Sequence, residues 1–234
     1  MLASVLFVML TVADGQPQHS LGRMWLLGVG RYQPQLSFMY LPPPQEDLEL
    51  REAFKRHEVI PDVIDEAPRS RLTVEYCTGV SAQLGNQVTP AEIRCQPHVT
   101  WPAEPGSLYT LAMTDPDVPN RNNRSEGEVR HWLVVNIPTN QVKAGDVISD
   151  YIGSGAPEGS GVHRYIFLLY RQPGLISADP ELRQTFRQAR GRFGWKVSQF
   201  ARENGLGRPV AGNFFRAEFD DYVPVLYAQL NDFP

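Results

Sequence analysis

Four polar residues with useful chemistry stand at the ends of apolar runs in the middle of the chain. They are Asp115, Asp117, His131 and His163, and the glycine-rich loop GSGAPEGSG (153–161) comes just before the last of them. Histidine side chains donate hydrogen bonds and can carry positive charge. Glycine lets backbone N–H groups approach an anion closely. The set therefore predicts a site for a small anionic or zwitterionic ligand.

Two carboxylates beside an anion would repel it unless something compensates. One aspartic acid could keep its proton through burial and the nearness of the other. A zwitterionic head group offers another solution, with its phosphate on the histidines and glycines and its ammonium on Asp115 or Asp117. Two His and two Asp could also hold a divalent metal. No His-x-His or i,i+4 pair is present, so a metal is the least favoured of the three.

No sequence feature supplies an activated nucleophile. Ser154 and Ser160 lie in the glycine-rich loop, which lacks the Gly-x-Ser-x-Gly pattern between a strand and a helix. The loop also lacks the Gly-Lys-Ser/Thr ending of a P-loop. We therefore expect no catalytic residues and no cofactor.

The apolar runs predict three central strands, at 108–114, 132–137 and 165–170. The last two are apolar on both faces, which is typical of strands buried between layers. If the first strand runs upward, the second runs downward, and the connection 138–162 is long enough to return to the top. The polar ends would then gather at one end of a sheet, where binding groups commonly lie.

Strand alternation predicts which way each histidine faces. His131 should share a face with Leu133, and His163 with Tyr165, so that each histidine tops an apolar face. A single such histidine is explained equally well as an ordinary hydrogen-bonded residue at a strand end. Two of them, with two aspartates and a glycine-rich loop, favour a site.

The remaining patterns predict short strands first and helices later. A strand is expected at 71–77, and a short surface helix at 45–57. Helices are expected at 179–189, at 195–203 and from Asp220 onward. This order is typical of a mainly β protein with peripheral helices.

Composition narrows the class of protein and of partner. The 234 residues carry a net charge of −4, so nucleic acid is not an expected partner, because phosphate binding usually leaves a basic footprint. Cys77 and Cys95 are the only cysteines, which argues against a structural zinc site. The sequence allows either a disulfide between them or two buried free thiols.

The first residues divide the chain into three parts. Residues 1–15 contain an uncharged run at 2–13 followed by small residues, which predicts a signal peptide and secretion. A mitochondrial or cytoplasmic location is the alternative. Residues 16–44 have no clear period and are expected to be a poorly ordered leader. Residues 45–234 are expected to form a single domain.

The chain resembles the phosphatidylethanolamine-binding protein family, which includes the Raf kinase inhibitor proteins. The resemblance covers about residues 66–231. Its carriers are TPAEIRCQPHVTW (89–101), LYTLAMTDPDVP (108–119), HWLVVNIP (131–138), SDYIGSGAPEGSGVHRYIFLLY (149–170), RGRFGWKVSQFARENGLGRPVAGNFF (190–215) and DDYVPVLYAQL (220–230). This resemblance implies a β-sandwich with a Greek-key sheet and C-terminal helices.

The resemblance also implies a binding function. The ligand-binding residues it implies are Asp115, Asp117, Pro119, His131, Gly153, Gly155, His163, Tyr165 and Tyr227. The implied ligand is a phosphorylated or zwitterionic small molecule such as a phosphatidylethanolamine head group, bound by a monomer without enzymatic activity. The alternative is an inhibitor of a protein kinase or serine protease; a metal-dependent hydrolase is the weakest reading.

The chain departs from that resemblance in one stretch. Relatives often carry an aromatic pair just before the pocket histidine, where this chain has Glu126 and Val129.

A basic run precedes the last part of the chain. Seven Lys or Arg and one acid lie between Arg183 and Arg208. On the predicted helix these could contact an anionic membrane surface, although a solvated helix face explains them as well.

Overall fold

The computed structural model describes residues 47–179, 181 and 183–231. The predicted signal peptide and leader lie outside these residues. Within them, no helix combines the length and the apolar character that a membrane crossing requires.

The described residues form nine strands and four helices. The strands are β1 (Ser70–Arg71), β2 (Thr73–Glu75), β3 (Asn86–Gln87), β4 (His98–Thr100), β5 (Leu108–Asp115), β6 (Val129–Pro138), β7 (Asp146–Ser149), β8 (His163–Arg171) and β9 (Ala211–Ala217). The helices are α1 (Leu48–Arg56), α2 (Val59–Asp62), α3 (Val197–Glu203) and α4 (Val223–Tyr227), and a 3₁₀ turn covers Val142–Ala144.

Seven strands form one sheet in the order β1-β9-β8-β5-β6-β7, and β3 also pairs with β9. Strands β2 and β4 form a separate antiparallel pair. One apolar cluster joins β2 and β4 to one face of the large sheet, and a second joins α1, α2 and α3 to the other face. The prediction of a mainly β fold with peripheral helices is confirmed.

The predicted gathering of strand ends is also confirmed. Strands β6 and β8 both pair antiparallel with β5, so both begin at the end of the sheet where β5 finishes. The return that the sequence required is made by β7, which runs antiparallel to β6. The glycine-rich loop then crosses this end of the sheet to reach β8.

The predicted facing of His131 is wrong, because a β-bulge changes the alternation of β6. Met113 pairs with Trp132 and Thr114 pairs with Arg130, so His131 is the extra residue between two successive pairs. The His131 ring contacts Tyr165 in the cluster beneath β2 and β4, whereas Leu133 belongs to the opposite cluster.

The helix predicted at 179–189 is not formed by the residues described there. The Gln184 carbonyl instead accepts a hydrogen bond from the N–H of Asp150, just after the edge strand β7, at 2.8 Å. The Gln184 N–H donates to Ile148 O of that strand at 2.9 Å. The segment thus covers backbone groups that an edge strand would otherwise leave open. The single basic helix face inferred from Arg183 onward therefore does not exist.

The other predicted helices exist with shorter bounds. Helix α3 begins at Val197 rather than at residue 195, and it ends before Asn204 and the left-handed Gly205 as expected. Helix α4 has five residues. Helix α1 buries Leu50 and Phe54 against the sheet and exposes Arg51, Glu52 and Arg56, so it is a surface helix as expected, with one packed face.

The two cysteines form a disulfide between Cys77 and Cys95. It links the end of β2 to the segment that leads into β4. Tyr76 beside it is buried in the cluster under the large sheet. Of the two alternatives left by the sequence, the structure has the bridge.

Arg164 is a buried cation that ties β8 to the first two helices. Its Nε and Nη2 donate to the carboxylate of Asp117 at 2.8 and 2.6 Å. Its Nη1 donates to the carbonyl oxygens of His57 and Glu58 at 2.9 and 2.7 Å, and Nη2 also reaches Asp62 at 2.9 Å. Asp117 and Arg164 are both fully shielded from solvent.

Replacing Arg164 should therefore destabilise the fold strongly. Arg164→Met leaves the Asp117 carboxylate buried without its partner, and we expect a loss of about 3–5 kcal/mol in the free energy of unfolding. Lys55→Gln removes an exposed ion pair with Glu52 and should cost about 0–1 kcal/mol. Urea unfolding of both variants checks this, and equal losses would contradict it.

Candidate functional site

A small pocket opens at the end of the sheet where β5 finishes and β6 and β8 begin. Its volume is about 80 Å³, which suits a head group or small anion rather than a whole drug-sized ligand. Its lining consists of Asp115, Val118, Val129, Arg130, His131, Ile152, Gly153, Gly155, Pro157, His163, Tyr165, Ala189, Arg192, Phe193, Leu226, Tyr227 and Leu230.

His163 is held between Asp115 and Ser160. Its Nδ1 lies 2.8 Å from Asp115 Oδ2, and its Nε2 lies 3.0 Å from Ser160 Oγ. The Ser160 hydroxyl donates its proton to the carbonyl of Pro157 at 2.7 Å, so Nε2 must donate to Ser160. Burial lowers the pKa of His163, but the hydrogen bond and charge of Asp115 outweigh it and raise the pKa. Both observations indicate a protonated ring.

His131 has the opposite electrostatic character. Its Nδ1 lies 2.9 Å from the carbonyl oxygen of Ile152, so this nitrogen carries a proton and Nε2 remains for a ligand. Burial lowers the pKa of His131, with the charges of Arg192 and His163 adding to the effect. A neutral His131 offers a lone pair at Nε2, and a protonated one offers a donor.

The glycine-rich loop needs its glycines where other groups approach closely. A side chain at Gly153 would come within 3.1 Å of the Ile93 carbonyl oxygen, and one at Gly155 within 3.3 Å of the Tyr227 ring. The Tyr227 hydroxyl donates to the Gly155 carbonyl at 2.5 Å. Helix α4 is thereby attached to the loop and forms a wall of the pocket.

Tyr165 places a hydroxyl in the pocket beside Ser154 and the Gly155 backbone, without a hydrogen bond of good geometry to any described residue. The Tyr165 side chain is fully buried. The hydroxyl of the nearby Ser154 is also buried without a hydrogen bond of good geometry in the described part of the chain. Burial and the charge of Asp115 raise the pKa of Tyr165 well above its ordinary value, so the hydroxyl keeps its proton. Buried polar groups in folded proteins are nearly always satisfied, which suggests that a ligand completes this one.

Two arginines that sequence reasoning did not select also lie at the pocket. Arg192 is buried and donates to backbone carbonyl oxygens, among them those of His131 and Asp150 at 3.3 and 2.9 Å. Arg130 stacks over Trp195 and donates to Gln184. The RGRFGW segment supplies Arg192, and its local pattern does not show that it folds back over β6.

Asp117 and Pro119 are the candidate residues that do not line the pocket. Both oxygens of Asp117 accept hydrogen bonds from Arg164, and its backbone N–H donates to Asp115 at 2.8 Å. Asp117 therefore orients Asp115 and anchors β8. Pro119 follows Val118, which is in the lining, through a cis peptide bond. The other candidate residues all line the pocket.

The walls above this polar floor are apolar. Val118, Val129, Phe193 and Leu226 all line the pocket. Glu126, at the first position where relatives often have an aromatic residue, is exposed instead. Phe193, from the segment after β8, supplies an aromatic side chain to the wall. Among the described residues, no three His, Cys, Asp or Glu side chains are grouped to hold a metal.

Glu128 is a buried acid just outside the pocket. Its Oε2 accepts from the Thr114 hydroxyl at 2.8 Å and from the Val197 backbone N–H at 3.4 Å. Burial, together with the charge of Asp115, raises the pKa of Glu128 to about 7 in spite of these hydrogen bonds and the charge of Lys196.

Comparison with known proteins identifies relatives over most of the chain. Residues 68–215 match the family model described as phosphatidylethanolamine-binding protein. The putative odorant-binding protein A5 of Drosophila melanogaster is 38% identical over 196 residues, which cover 83% of this chain and 93% of that protein.

Solved structures show the same fold. The solution structure of CG7054 is 38% identical with a TM-score of 0.63, and the match covers 74% of this chain and 98% of that one. A carboxypeptidase Y inhibitor, solved in complex with its cognate proteinase, is 28% identical with a TM-score of 0.60, over 74% of this chain and 96% of that one.

The raised pKa of Glu128 makes the stability of the fold depend on pH. The folded chain keeps the proton of Glu128 up to about pH 7, whereas the unfolded chain releases it from about pH 4.5. The stability that this carboxyl contributes is therefore complete below about pH 4.5 and is lost as the pH rises through about 7. Glu128→Gln removes the buried charge, and at pH 8 we expect it to raise the free energy of unfolding by about 1–3 kcal/mol.

Urea unfolding at pH 8 and pH 5 measures this effect. The advantage of Glu128→Gln should shrink at pH 5, where the parent carboxyl is protonated in the folded chain. Glu126→Gln, an exposed residue two positions away, serves as the control and should show no such change. An advantage of equal size at both pH values would count against a buried, titrating Glu128.

Proposed function

This chain belongs to the phosphatidylethanolamine-binding protein family, and we propose that its pocket binds the phosphate of a small phosphorylated or zwitterionic ligand. A phosphoethanolamine head group is the ligand of this class that we put forward. The observation that carries the proposal is the buried Tyr165 hydroxyl, which faces the pocket without a hydrogen bond of good geometry to any described residue.

The Tyr165 hydroxyl and the positive charges of His163 and Arg192 surround the position that the phosphate would occupy. The Tyr165 ring lies 5.1 Å from that of His131 and 6.5 Å from that of His163, centroid to centroid. His163 is held protonated by Asp115, and the arginine charge of Arg192 lies in the same lining. Positive charge in a shielded site attracts an anion more strongly than it would in water.

Asp115 repels an anion less strongly than an isolated carboxylate would. Its Oδ2 faces the His163 ring at 2.8 Å and its Oδ1 accepts from the Asp117 backbone N–H. The carboxylate charge is thus largely balanced before a ligand arrives. An ammonium group on the ligand is compatible with this carboxylate but is not needed to cancel it, which leaves both head groups and simple phosphates as ligands.

The same geometry supports a binding protein rather than a hydrolase. Ser160, His163 and Asp115 follow one another at 3.0 and 2.8 Å, which is the order of a serine hydrolase triad. A nucleophilic serine must give its proton to a neutral histidine. Here the Ser160 hydroxyl donates to Pro157 and the raised pKa of His163 keeps that ring protonated, so the serine is not activated.

An inhibitor function is the second candidate. It is favoured by the similarity to a carboxypeptidase Y inhibitor that was solved with its cognate proteinase. In this alternative, the surface around the pocket docks a protease and the small ligand competes. An assay of serine carboxypeptidase activity with and without the chain distinguishes this function from ligand binding alone.

We also propose that the chain is secreted. The apolar run at its beginning supports a signal peptide, and the Cys77–Cys95 disulfide is typical of an oxidising compartment. A relative named as a putative odorant-binding protein is in accord with this location.

Removing the Tyr165 hydroxyl should weaken ligand binding without disturbing the fold. Tyr165→Phe keeps the ring and deletes one donor, and we expect a dissociation constant for glycerophosphoethanolamine about tenfold higher. Tyr170→Phe, on the opposite face of the same strand, is the matched control and should bind like the parent. Isothermal titration checks both, and unchanged binding by Tyr165→Phe would refute the pocket assignment.

Binding should strengthen as the pH falls. The pKa of His131 is lowered, so this ring becomes protonated only at acidic pH and then offers Nε2 as a donor to phosphate. We expect the affinity for glycerophosphoethanolamine, a phosphodiester of constant charge, to rise as the pH falls below 6.5, the ordinary pKa of a histidine. His131→Gln should abolish this slope, whereas exposed His98→Gln should retain it; a parent protein without any slope would exclude the role of His131.

A further inference from the structure

The segment Asn123-Arg124-Ser125 has the pattern Asn-x-Ser that accepts N-linked glycans. It is the one place in the sequence where an asparagine is followed two positions later by Ser or Thr. The pattern lies in the loop between β5 and β6, and Asn123, Arg124 and Ser125 are all exposed. We propose that Asn123 carries an N-linked glycan.

The local geometry presents the asparagine amide to a transferase. Asn123 Oδ1 accepts a hydrogen bond from the Ser125 backbone N–H at 3.2 Å. The turn before it is held by Asn120, whose Oδ1 accepts from the N–H groups of Asn122 and Asn123 at 3.0 and 2.9 Å. These bonds use the oxygen of the Asn123 side chain and leave Nδ2, the atom that becomes glycosylated.

The modification needs a lipid-linked oligosaccharide diphosphate as its co-substrate. The Asn123 Nδ2 forms a bond to the anomeric carbon of the first sugar. The bond between that carbon and the diphosphate oxygen breaks, so the lipid diphosphate leaves with the electron pair, and Nδ2 gives up one proton. The side-chain oxygen is unchanged, so its bond with Ser125 can persist in the product.

The fold around the loop does not depend on the face that the glycan would occupy. The loop is attached to α2 and the residue before it by Arg121, which pairs with Glu58, and by Arg124, which pairs with Asp62 at 2.5 Å. Neither contact involves Asn123. A glycan on this residue can therefore project into solvent while the arginines on either side hold the loop.

A second observation points to the compartment in which this reaction occurs. The Cys77–Cys95 disulfide requires oxidising conditions, which the secretory pathway provides together with the transferase. The inference therefore rests on the proposed secretion, but it does not rest on ligand binding by the pocket.

The position of the loop gives the glycan a consequence for function. The loop leaves the sheet after Asp115 and passes Val118 before it returns at Val129. Both valines line the pocket, and Glu126 N–H donates to Val118 O at 3.2 Å. A glycan on Asn123 would thus stand at the pocket's end of the sheet. It would hinder a docking protein far more than a small ligand.

Secretion of the full chain from insect cells, followed by treatment with peptide N-glycosidase, tests the proposal. The parent, Asn122→Gln and Ser125→Thr should each lose the mass of one glycan on treatment, because all three keep the acceptor pattern. Asn123→Gln and Ser125→Ala should migrate like the deglycosylated parent before treatment. Peptide mass spectrometry should find aspartate at position 123 after enzymatic release.

Each other outcome overturns the inference. A secreted parent that shows no change on treatment, or an Asn123→Gln variant that still changes, refutes the glycan at Asn123 alone. A chain retained in the cytosol without a glycan refutes both the glycan and secretion. Titration of the same purified protein with glycerophosphoethanolamine reports separately on the pocket, so the two proposals can fail independently.

Discussion

The buried ion pair between Arg164 and Asp117 is the contact on which the geometry of this protein depends. Two charges removed from water must be paired and hydrogen-bonded, or the fold loses several kcal/mol (about 3–5). The pair satisfies this by drawing together the start of β8, the loop after β5 and the carbonyl groups of His57 and Glu58. These are the elements that also support the pocket.

Adjacent residues divide the work between structure and binding. His163 and Arg164 are neighbours on β8, and strand alternation sends the first to the pocket and the second to the helix side. Asp115 and Asp117 are divided in the same way, one facing His163 and the other Arg164. An anchored second residue fixes the position of the first, which is how a rigid site is obtained on a short stretch of chain.

The strand ends and most of the pocket could be predicted from the sequence, because apolar runs and glycine-rich turns are local signals. The roles of Asp117, Arg192 and Phe193 could not be predicted, since each depends on a partner far along the chain or on a segment without a regular period. The bulge at His131 is equally hidden: it arises from pairing with β5, and the sequence of β6 alone shows an uninterrupted strand. Similarly, helix signals at 179–189 were overridden by the open edge of β7.

The attachment of α4 to the glycine-rich loop has a consequence for how the protein is made. The Tyr227 hydroxyl holds Gly155, and Leu226 and Leu230 complete the wall. On the ribosome, the central strands emerge well before these residues do. The pocket therefore remains open on one side until the last part of the chain is synthesised, and a prematurely terminated polypeptide could pair its strands while lacking a finished site.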